Sequence, residues 1–146
     1  MNGSQSWVMW ALLSAVFAAL TAILAKTGIA GVNSHLATAI RTTVVLVFTW
    51  LLVFIAVGRV SFAALTSRNW IFLILSGLAT GLSWICYFRA LQLGDASKVA
   101  PVDKLSVALT ILLAAIFLGE RLGWREIIGG GLIVIGVLII AWRPGL

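Results

Sequence analysis

Ionisable side chains are scarce in this sequence, and the few that fall inside apolar runs are where chemistry has to be sought. Asp103 and Lys104 lie in the first turns of one apolar run, and Arg41 starts roughly a turn and a half inside another. A charge at a bilayer centre costs about 2.5–3.5 kcal/mol on insertion scales and less near an end, so each asks for a reason. Asp103, Ser106 and Thr110 fall on one helical face at i, i+3 and i+7, whereas Lys104 projects elsewhere, toward the side of Ser97 and Pro101. Thr80, Trp84 and Tyr87 make a second stripe of polar and aromatic character. Stripes of this kind can line a path for a solute, and they can equally be aromatic core packing. For Arg41 the competing reading is snorkelling to the headgroups. The chemistry on offer is recognition and passage rather than bond making. One histidine (His35), one cysteine (Cys86) and four scattered carboxylates form no catalytic or metal-binding group, so no enzyme, metal or cofactor is expected.

The elements that position these residues follow from composition. The 146 residues are 62% hydrophobic and only 10% charged, against about 25% charged in a soluble domain. Such a chain cannot cover itself with polar surface, and one all-α membrane domain over 1–146 is expected. The net charge of +6 is spread singly over helix ends with no basic stripe. Bilayer anchoring therefore explains it, and a nucleic-acid partner does not. Trp7 to Ala25 gives an apolar span of about 28 Å as a helix, with no basic leader before it, so no cleaved signal peptide is expected. Its face of Ser14, Ala18, Thr21 and Ala25 is small enough for close helix contact. Further spans run at about 36–57, 70–93, 97–119 and 126–142, making five transmembrane helices with the first at about 7–26. The third carries Gly77-Leu-Ala-Thr-Gly81, a motif suited to helix packing. The fifth carries Gly129, Ile133, Gly136 and Ile140 as a smooth association seam and is stopped by Arg143 and Pro144.

Depth gathers the charges. Lys26 ends the first span, Arg41 begins the second, Arg89 is near the end of the third, and Asp103 and Lys104 begin the fourth. All five fall toward one mouth of the bundle, where Lys26 and Lys104 would act as gate cations and Asp103 would pair with Arg41. The excess of cations favours an anionic or zwitterionic solute. Surface cations divide evenly, with Arg59, Arg68, Arg121 and Arg125 on one side against Lys26, Arg89, Lys98 and Arg143 on the other. Cytoplasmic loops usually carry the surplus, so an even count permits insertion both ways and an antiparallel homodimer. A single orientation set by other factors is the alternative.

Several segments together carry a resemblance. They are Ala37 to Arg41, Tyr87-Phe88-Arg89-Ala90-Leu91, Gly94 to Pro101, Phe117-Leu118-Gly119-Glu120 and the glycine-bearing stretch Gly129 to Val137. In that order and spacing the chain resembles one EamA-type repeat of the drug/metabolite transporter superfamily. Its last span is also similar to the association helix of the small multidrug resistance branch. The resemblance implies a multi-pass protein of the cell (inner) membrane. It implies a secondary transporter, an exporter of a small metabolite or amino-acid-like solute, working by alternating access between two inverted repeats. A second copy of this chain would supply the second repeat. The path residues would then be Arg41, Thr80, Trp84, Tyr87, Asp103, Ser106 and Thr110. Two alternatives stay open: a cationic drug/proton antiporter, against which the lack of an acidic residue in the first span counts, and a membrane subunit that transports nothing.

Overall fold

The computed structural model describes residues 6–56, 58 and 65–142. Arg59, Arg143, Pro144 and the end of the second span at Val57 lie outside the described residues. Among those described, the secondary structure is helical throughout, with five stretches long and apolar enough to cross a membrane. The helices are α1 (Ser6–Gly28), α2 (Ser34–Ala56), α3 (Ser67–Leu93), α4 (Ala96–Asp103), α5 (Leu105–Leu113) and α6 (Trp124–Ala141). They form two compact units, one running to Leu93 and the other starting at Gly94.

The first unit holds α1, α2 and α3, with α3 packed on both others. Helix entries are written in side chains. Asn33 stands before α2, and its Oδ1 accepts the His35 backbone N–H at 2.9 Å; Thr66 stands before α3, and its Oγ1 accepts the Asn69 N–H at 3.3 Å. Each satisfies one of the amide groups that a helix start leaves without a partner. The packed faces follow the helical period. Ala22 is buried on α1 and Ile29 just past its end, Ser34 and Thr38 on α2, and Phe88 and Leu91 on α3. Arg41 continues the Ser34–Thr38 line one turn on, which aims it at α3. Gly77 and Gly81 play no part in this packing, since a Cβ at either would have no described atom within 4 Å.

In the second unit α6 packs against α4 and α5. The fourth span is not one uniform helix. At Lys104 the backbone bonds shorten to i−3: the Lys104 N–H donates to Pro101 O at 2.9 Å and the Val107 N–H to Lys104 O at 3.0 Å. From Ala114 to Leu118 the coil widens into a π-helical turn. Gly119 closes it at φ 68°, a left-handed conformation that costs glycine little. The Glu120 N–H then reaches back to Ala114 O at 3.3 Å. Steady projection at about 100° per residue therefore fails across Lys104. Its Nζ lies 3.3 Å from Asp103 Oδ2 rather than pointing away from that side chain, a contact that the long, flexible lysine makes with its chain neighbour.

Helix α6 turns Gly130 and Val137 inward. A Cβ at Gly130 would come within 3.2 Å of Ile111 Cδ1, so bare backbone is what lets α6 approach α5. Gly129, Ile133, Gly136 and Ile140 project about a quarter-turn away from that inner line. Gly129, Ile133 and Ile140 are exposed, and a Cβ at Gly129 or Gly136 would meet nothing within 4 Å. On α6 the glycine that packs against α5 is Gly130.

Candidate functional site

The carboxyl end of α1, the start of α2 and the end of α3 meet at one end of the first unit, and their polar groups meet with them. Helix α3 ends at Leu93, which leaves its last carbonyls without partners inside the helix. Lys26 Nζ donates to one of them, Leu91 O, at 2.6 Å, a favourable place for a cation beside a helix C-terminus. Gln92 Nε2 donates to Val32 O at 2.5 Å, fastening α3 to the α1–α2 loop. Arg89 donates from its guanidinium to Gln92 Oε1 at 3.2 Å. Lys26 thus ties α1 to α3, while the Arg89 bond stays within α3.

Arg41 is held differently. Its guanidinium carbon lies 4.6 Å from the Trp84 ring centroid and 5.2 Å from that of Phe88. Phe88 is buried, and Tyr87 stands edge-on to it, with centroids 6.1 Å apart. Ring faces attract a cation and leave the hydrogen-bonding edge of the guanidinium unused. Among the described residues no ion pair or hydrogen bond involves Arg41. Beside it opens a cleft of about 380 Å³ whose other walls are apolar except at Thr21, among them Ala25, Ile29, Ala37 and Phe88. One strong donor cluster on a mainly apolar wall is the composition of a small-molecule site.

The remaining expected path residues have their own arrangements. Thr80 is exposed and its hydroxyl donates to Ser76 O at 2.9 Å. Thr38, Thr42, Thr43, Thr49 and Thr110 likewise bond the carbonyl four residues earlier, at 2.7 to 3.1 Å. A threonine so engaged satisfies itself and carries little information about a path. Asp103 pairs with Lys104 in the second unit, on the same helical stretch as exposed Ser106 and Thr110. Arg41 and Asp103 belong to separate units and each has its own neighbours there.

Sequence reasoning missed Phe88, Leu91, Gln92 and Asn33. Trp84, Phe88 and Leu91 stand at i, i+4 and i+7, so the stacking face was legible as the continuation of the Thr80–Trp84 stripe.

A half-buried arginine beside an apolar cleft, in a chain with five membrane-length helices, agrees with what comparison of the whole sequence finds. Residues 5–142 match the EamA-like transporter family. The chain belongs to that family. It is 50% identical over 138 residues to an uncharacterized transporter of Sinorhizobium sp, covering 94% of this chain and 98% of that protein. To an uncharacterized transporter of Bacillus subtilis it is 29% identical over 139 residues, which cover 94% of this chain and 43% of that protein. Over 73 residues it is 40% identical to a probable 4-amino-4-deoxy-L-arabinose-phosphoundecaprenol flippase subunit of Erwinia tasmaniensis, 48% of this chain and 57% of that one. No solved structure matches. This EamA-family chain is a multi-pass membrane protein with a role in transport.

Proposed function

We propose that this EamA-family chain is a secondary transporter exporting a small metabolite or amino-acid-like solute across the cell (inner) membrane by alternating access. The working unit is two copies in antiparallel arrangement, each supplying one five-helix repeat. The observation that carries the reading is Arg41, held against Trp84 and Phe88 with no acidic partner among the described residues and set beside a cleft. A structural arginine in an apolar segment would be expected to pair with a carboxylate or carbonyl. We assign the solute path to Arg41, Thr80, Trp84, Tyr87, Asp103, Ser106 and Thr110, with Lys26 and Lys104 at the mouth. Two further facts support the pairing of copies: the Sinorhizobium relative is matched over nearly its whole length, so a single repeat makes up that protein, and the seam of exposed Gly129, Ile133 and Ile140 with half-buried Gly136 suits a helix from a second copy.

The experiment is a solute screen on proteoliposomes containing purified protein, with Arg41→Gln beside the unaltered chain. Solute-dependent counterflow that Arg41→Gln abolishes while the variant stays folded and monodisperse is the expected result. Equal counterflow from both, or none from either, would count against the reading.

One observation favours a second reading, in which the chain is a subunit completed by a different protein. The Erwinia relative is named as a flippase subunit. Under that reading purified protein alone moves nothing, and co-expression with a second repeat restores movement. The cationic drug/proton antiporter is weaker. It needs a desolvated carboxylate that exchanges a proton for a cation, and Asp103, the carboxylate deepest in a span, already faces Lys104 at 3.3 Å.

A further inference from the structure

The cleft beside Arg41 has two parts of opposite character. Its body is mainly hydrocarbon, built from the ends of α1 and the start of α2 and floored by Phe88. Its polar end is the guanidinium, whose carbon lies 4.6 Å from the Trp84 ring centre and 5.2 Å from that of Phe88, with no hydrogen bond or ion pair to another described residue. A guanidinium held against two rings with its N–H groups unspent can offer an arriving anion two parallel hydrogen bonds. Neither Lys26 nor Arg89 lines the cleft, and Lys26 Nζ is engaged with Leu91 O of α3. The opening of about 380 Å³ sits at the small end of ligand pockets, which run from about 300 to 1,000 Å³. That favours one short apolar body over a two-chain lipid.

We infer that this cleft binds a small organic anion with its carboxylate on the edge of Arg41 and its apolar body along Ala25, Gly28 and Ala37. The solute of the proposed transporter is then a carboxylate with a hydrophobic body, an assignment that rests on the transport reading but can fail separately from it. Gly28 gives a way to block the body of the cleft without touching Arg41. It lines the cleft, and a Cβ there meets nothing within 4 Å. Gly28→Leu therefore fills the space that the ligand would use.

The test is equilibrium binding to the full chain in nanodiscs of neutral lipid, with empty-disc partitioning subtracted. Octanoate is the probe, and octylammonium and octanol are the controls. Octanoate should bind at least about ten-fold more tightly than either control, the scale of one charge-assisted pair. Arg41→Gln and Gly28→Leu should each weaken it by about ten-fold or more, while Arg41→Lys retains part of the preference for the anion. Equal binding of octanoate and octylammonium, or full octanoate binding by folded Gly28→Leu, would overturn the inference. So would octanoate displaced by anionic but not neutral phospholipid, because the cleft would then belong to surrounding lipid. Binding needs no transport. Octanoate binding without solute movement would leave this site standing and overturn the transporter, and movement of other solutes without octanoate binding would do the reverse.

Discussion

Arg41 contributes a charge and a guanidinium set against two rings, and two replacements separate them. Arg41→Ala removes both and should lower stability by about 1–2 kcal/mol, the worth of a partly desolvated cation–π contact. Arg41→Lys keeps the charge but gives up the guanidinium, so a smaller loss is expected, with both read from thermal unfolding in one detergent. Asp103 makes a contrasting case. Its side chain is 36% exposed and that of Lys104 is 54% exposed, and such a pair contributes no more than about 1 kcal/mol. Asp103→Asn should hardly move the melting temperature. If it also halts counterflow, the carboxylate acts on the solute; if it unfolds the protein, its role is structural. Helical projection located both residues in the sequence, because depth within a span depends only on counting from its ends. What Arg41 touches was not legible in the same way, since Trp84 and Phe88 lie more than forty positions on and meet it only through the packing of α2 on α3.

Glycines separate what each helix does inside the chain from what it offers outside. Gly130 is buried against Ile111, and Gly129, one residue earlier, faces open space. Gly130→Val should destabilise by about 1–3 kcal/mol through overpacking, whereas Gly129→Val should leave unfolding unchanged and weaken self-association measured by sedimentation in detergent. The reverse pattern would assign the outer seam to packing within the chain. At the end of the π-helical turn, Gly119→Ala should lower stability by about 1 kcal/mol, because alanine pays for the left-handed φ. The number, order and apolar character of the spans were plain from hydropathy, since the bilayer constrains composition directly. The division of the fourth span at Lys104 and its widening at Ala114 were not. Pro101 in the sequence marks one missing backbone donor, but where the hydrogen-bond ladder tightens or widens depends on neighbours outside the helix.

At the scale of the whole molecule, family membership sets the architecture and the even distribution of cations sets the question of orientation. A reporter fused after Leu146 should be found on both faces of the membrane if the chain inserts both ways; a single face would exclude an antiparallel pair of identical chains. The arrangement of α6 against α6 is the more direct probe. Between Gly129 and Ile140 the helix rises about 16 Å, so an antiparallel crossing centred between Ile133 and Gly136 sets Gly129 of one copy near Ile140 of the other. Cys86 is the one cysteine, and replacing it with serine gives a clean background. Gly129→Cys and Ile140→Cys chains, co-expressed in that background and oxidised in the membrane, should yield the mixed disulfide in preference to either symmetrical one. Symmetrical Gly129→Cys disulfides, or none of any kind in protein that still moves solute, would contradict two inverted copies as the transporting unit.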